Sequence, residues 1–97
     1  MADGAPIKRI HLFVSGVVQG VCFRYYTKKM ALELGLTGWV RNLINARVEI
    51  LAEGNESSLK ELVQWSRRGP PNARVDHVEE TWLCASNEFS DFTVMVS

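Results

Sequence analysis

The chain has 97 residues, 46% of them apolar and 23% charged, a composition that fits one small globular domain and excludes both a disordered tail and a multi-domain enzyme. Lys plus Arg and Asp plus Glu number 11 each, so the formal net charge is zero and affinity built by blanketing nucleic-acid phosphates is disfavoured. No apolar run approaches the roughly 20 residues of a membrane-spanning helix, so neither nucleic acid nor membrane is an expected partner.

Residues 1–6, with Gly4 and Pro6, read as a flexible leader without the basic flank and apolar segment of a signal peptide, and residues 7–97 read as a single domain. Ile10, Leu12 and Val14 alternate with His11, Phe13 and Ser15, the period-two pattern of a half-buried strand. Gly16 and Gly20 break that alternation and bracket a tight loop. Phe23, Tyr26, Thr27, Met30, Ala31 and Leu34 then recur at helical spacing, with Arg24, Lys28, Lys29 and Glu33 on the wet side. Gly35 is placed to end that helix as a left-handed C′ residue.

Leu36 to Asn42 is extended again, Asn45-Ala46 sits at a hairpin turn, and Val48, Ile50 and Ala52 alternate with Arg47, Glu49, Leu51 and Glu53. Asn55 is the expected N-cap of a second helix with the apolar stripe Leu59, Leu62 and Val63, ended by Gly69-Pro70-Pro71. Two more extended stretches follow, Val75–Cys84 and Phe89–Val96. The order strand, helix, strand, strand, helix, strand, plus a terminal strand, predicts an α+β, ferredoxin-like split β-α-β sandwich. Two helices would cover one face of a mainly antiparallel four- to five-stranded sheet.

Cys22 and Cys84 are too few and too far apart for a disulfide framework or a Cys-x-x-Cys site, and read as reduced thiols of a cytoplasmic protein. His11 and His77 are equally isolated, and no metal is expected. Ser15-Gly16-Val17-Val18-Gln19-Gly20-Val21-Cys22-Phe23-Arg24 carries the chemistry. A strand enters a glycine-bracketed loop whose amides point ahead into a helix start, where the dipole and the Arg24 guanidinium suit a phosphoryl group. Such loops also occur with a solvated Arg and no ligand, and neither a Gly-Lys-Ser/Thr ending nor a Gly-x-Gly-x-x-Gly run is present. Cys22 reads as a packed or spectator thiol. Glu49, Glu53, Glu79 and Glu80 read as a solvated face rather than an acid–base pair. Asn42 is either a strand-ending residue bonded to its own backbone or a carboxamide holding a water molecule.

Val14 to Arg24 closely resembles the first signature of the acylphosphatase family, Gly-x-Val-Gln-Gly-Val-x-Phe-Arg, and Gly38-Trp39-Val40-Arg41-Asn42 with Val48 and Gly54 resembles the second. The resemblance implies hydrolysis of the carboxyl–phosphate bond of acyl phosphates to a carboxylate and inorganic phosphate. It assigns the phosphate-binding loop to Gly16, Val18, Gln19, Gly20, Val21 and Cys22, phosphoryl binding also to Arg24, and orientation of the attacking water to Asn42. It further implies a monomer with no metal, no cofactor and no phospho-enzyme, inhibited competitively by its product phosphate. Ala46 departs from the family's glycine, which implies either another turn type or a modest left-handed strain, Leu43 replaces a small hydroxyl residue that would steady Asn42, and the C-terminus lacks the usual basic and aromatic ending. The competing expectation is a non-catalytic ferredoxin-like module for anions or RNA, against which stands the absence of an RNA-binding aromatic motif.

Overall fold

Apolar side chains at alternate positions make β1 (Ile7–Val17) a strand with one dry face, and Ile10, Leu12 and Val14 on that face are fully buried. The structure, a computed structural model, describes residues 7–96, so the leader expected at 1–6 lies outside the described residues. The remaining elements are α1 (Phe23–Glu33), β2 (Thr37–Asn42), β3 (Val48–Asn55), α2 (Glu56–Arg68), β4 (Arg74–Cys84) and β5 (Phe92–Met95). The sheet runs β4-β1-β3-β2-β5, antiparallel throughout except for the parallel pair β2/β5. This is the expected ferredoxin-like fold with five strands. Phe23 and Ala31 of α1 and Leu59 and Leu62 of α2 pack with Ile10, Leu12 and Ile50 in one core.

Both helices end as their sequences dictate. Gly35 has φ 73°, and the bonds Leu36 N–H to Ala31 O (2.9 Å) and Gly35 N–H to Leu32 O (3.1 Å) close a Schellman motif. Asn55 caps α2, its Oδ1 accepting from Ser58 N–H at 2.9 Å.

Two expectations are corrected. Gly16 does not end β1: the strand continues to Val17 through a bulge at Ser15/Gly16, where a Cβ on Gly16 would stand 2.1 Å from Arg74 O. Glu49 and Glu53 are not solvated. They lie on the helix-free face of the central strand β3 and are only 6% and 2% exposed. Arg9 Nε donates to Glu53 at 2.7 Å, the Ser86 and Asn87 amides donate at 2.8 and 2.9 Å, and His11 Nε2 and Arg41 Nε each lie 2.6 Å from Glu49. Burial pushes both carboxyls up, but these partners outweigh it and hold both below the usual carboxylate range.

Candidate active site

The loop after β1, α1, the end of β2 and β5 meet around an open cleft of about 790 Å³, whose lining includes Val18, Gly20, Cys22, Arg24 and Asn42. Its floor is set by two packed residues, Val18 and Phe23, each 1% exposed, which pin the loop between them to the core. Gly20 (φ 78°) and Cys22 (φ 63°) both take left-handed backbone, turning the chain sharply into α1. Cys22 occupies the N-cap without a side-chain cap, and the first turn of α1 carries no acidic residue. The first main-chain bond into the helix runs from Tyr26 N–H to Cys22 O at 3.1 Å. Among the described residues, the N–H groups from Val18 to Tyr25 meet no backbone acceptor, so a row of donors is left without main-chain partners at the positive end of the helix dipole.

Arg24 is half-buried in the first turn of α1, and its Nη1 donates to the Met95 carbonyl of β5 at 3.1 Å. That carbonyl orients the guanidinium without neutralising it, leaving the charge available to an anion. Asn42 closes β2 on the other side of the cleft. Its Oδ1 is buried without a hydrogen-bond partner, the only such side-chain atom among the described residues. The self-bonded reading of Asn42 therefore does not hold, and Leu43 supplies it no hydroxyl.

Gly16, Gln19 and Val21 lie outside the cleft lining. Gly16 forms the bulge that releases the loop from β1, and Val21 packs against the core. Gln19 Nε2 donates to Leu43 O at 2.8 Å and Arg47 O at 2.9 Å, tying the loop to the β2–β3 turn just beyond Asn42. Reading the sequence missed that tie, and it missed Met95 as the partner of Arg24. Neither has a local signal, because the partners are main-chain carbonyls 24, 28 and 71 positions away. The cysteine at the cleft is exposed rather than packed. Among the described residues no group of three His, Cys, Asp or Glu side chains is placed to hold a metal ion.

A model of the acylphosphatase family matches residues 10–94. The chain is 48% identical over 89 residues to the acylphosphatase of Methylococcus capsulatus, covering 92% of this chain and 97% of that one. It is 56% identical over 86 residues to the acylphosphatase of Marinobacter nauticus, with coverage of 89% and 94%. The solved structure of an acylphosphatase from Coxiella burnetii superposes with a TM-score of 0.87 at 43% identity, over 93% of this chain and 94% of that one. Between the two functions expected of the fold, this likeness selects hydrolase over binding module. A family match that spans nearly the whole described fold, with relatives alike from end to end, makes the chain a member of the acylphosphatase family, enzymes that hydrolyse acyl phosphates.

Proposed function

We propose that Arg24 and the loop amides from Val18 to Cys22 hold the phosphoryl group of an acyl phosphate, with Gly16 shaping the entry to that loop, while Asn42 orients the attacking water. The observation that carries this reading is the Asn42 Oδ1, a buried acceptor with no protein donor in the same cleft as Arg24. An unpaired buried acceptor costs stability and calls for a donor, which a water hydrogen supplies. The water oxygen forms the new bond to phosphorus, and the bond from phosphorus to the acyl oxygen breaks with its electron pair. The products are a carboxylate and inorganic phosphate, the displaced water proton passing to a phosphoryl oxygen. A carboxylate leaves readily, so no strong general acid is needed. Positioning and charge stabilisation of the equatorial oxygens, the tasks suited to Arg24 and the amides, carry the reaction.

This scheme needs no metal, cofactor or phospho-enzyme, and one chain supplies every group, so a monomer suffices. Product phosphate occupies the same cradle and inhibits competitively. The exposed free thiols Cys22 and Cys84 suit a reducing compartment such as the cytoplasm. The test measures hydrolysis of acetyl phosphate with a chelator present, together with inhibition by phosphate. Asn42→Ala is expected to lower kcat by about 10²–10³, as loss of one positioned group does, with phosphate inhibition shifted only a few-fold. Arg24→Ala is expected to weaken phosphate inhibition as well. A fully active Asn42→Ala enzyme would exclude the water-positioning role.

A further inference from the structure

Beyond the cradle, the cleft continues along α1 past Tyr25, Lys28, Lys29 and Leu32, with Val94 on the opposite side. A volume of about 790 Å³ lies in the range of whole small-molecule sites, well above what a phosphoryl group fills. On α2, Lys60 pairs with Glu56 at 3.0 Å and Arg67 with Glu80 of β4 at 2.8 Å. Lys28 and Lys29 meet no carboxylate among the described residues. With Arg24 they are three of the four Lys and Arg side chains there without one, Arg68 being the fourth. In a chain of zero net charge, three of these four unneutralised cations thus gather on one wall of one cleft.

Helix geometry lines this wall up with the cradle. Arg24, Lys28 and Leu32 follow one another at four-residue spacing, with Tyr25 and Lys29 on the adjacent row. Lys28 stands about 6 Å further along the axis than Arg24, and helical side chains lean back toward the N-terminus, here toward the cradle. Tyr25 is 61% and Leu32 50% exposed, large apolar surfaces beside the two ammonium groups.

Resting on the phosphate-cradle reading, we propose that this wall is the acyl-group subsite and selects acyl phosphates whose acyl chain ends in a second anion, the simplest being the monoacyl phosphate of a short dicarboxylic acid. Lys28 and Lys29 receive the distal charge while Tyr25, Leu32 and Val94 cover the methylenes between. The preference is electrostatic across a partly exposed site, so it weakens as salt rises.

The experiment compares kcat/KM for succinyl phosphate and butyryl phosphate, which share a four-carbon chain and differ in the distal charge. For the intact protein at low salt the ratio is expected to favour succinyl phosphate about tenfold, and to approach one at molar salt. Lys28→Gln/Lys29→Gln is expected to bring the low-salt ratio near one, and Lys28→Glu/Lys29→Glu to invert it. Circular dichroism checks that these surface variants fold, and the salt series needs no variant at all. Hydrolysis of both substrates with a salt-independent ratio near one overturns the subsite and leaves the cradle reading standing. Hydrolysis of neither overturns both.

Discussion

Ala46 carries a φ of 72° in the β2–β3 turn, where Leu43 N–H bonds Arg47 O at 2.8 Å and Ala46 N–H bonds Leu43 O at 3.2 Å. Left-handed backbone costs a residue with a Cβ roughly 1–2 kcal/mol, whereas glycine gives back about 0.5–1 kcal/mol through the greater freedom of its unfolded chain. The strain is the larger of the two, so Ala46→Gly is expected to raise stability by about 0.5–1 kcal/mol in a urea titration. The sequence narrowed this turn to two outcomes, a different turn or left-handed strain, and the φ of 72° selects the strain. The roles of Glu49 and Glu53 were not legible. Their alternation with apolar neighbours places them off the core face, but whether that second face is wet depends on Arg9, His11, Arg41 and the segment around Ser86, which arrive from elsewhere in the chain.

The two helices are built to opposite ends. α2 is capped for stability: Asn55 accepts from Ser58 N–H, Glu56 occupies the first turn and Arg67 and Arg68 the last, all complementing the dipole. Asn55→Ala is expected to cost about 1 kcal/mol in thermal or denaturant melts while acyl phosphate turnover stays unchanged, since the cap stands apart from the cleft. α1 leaves the same features out at its N-terminus, with no side-chain cap and no acid, so its first donors remain available to a ligand. Helix ends of both kinds could be read from sequence because caps and glycine stops act within a few residues. Strand ends could not. The bulge that carries β1 past Gly16 depends on the approach of Arg74, and Phe89 to Asp91 precede rather than join β5, whose register is set by its parallel pairing with β2.

For the molecule as a whole, the two buried carboxylates contribute to the loss of stability in acid. Glu49 and Glu53 titrate lower in the fold than in the unfolded chain, so the unfolded state binds more protons as pH drops through the carboxylate range. Their contribution is present in full above the unfolded value of about 4.3 and is lost as pH falls toward their depressed folded values. Melting temperature is expected to hold steady from neutral pH down to about 5 and to decline below about 4. Thermal melts across that range check it, with a shallower decline expected for Glu53→Gln, whatever that variant loses at neutral pH. The Asn42 carboxamide works in the opposite direction at every pH, because a polar group at this buried strand end needs a water to satisfy it and stabilises the fold less than an apolar side chain filling the same space. A lineage selected for endurance alone, in heat and with no demand for turnover, would therefore be drawn toward a β-branched hydrocarbon at this strand end. Its descendants would outlast their ancestor and turn over acyl phosphates about 10²–10³ times more slowly.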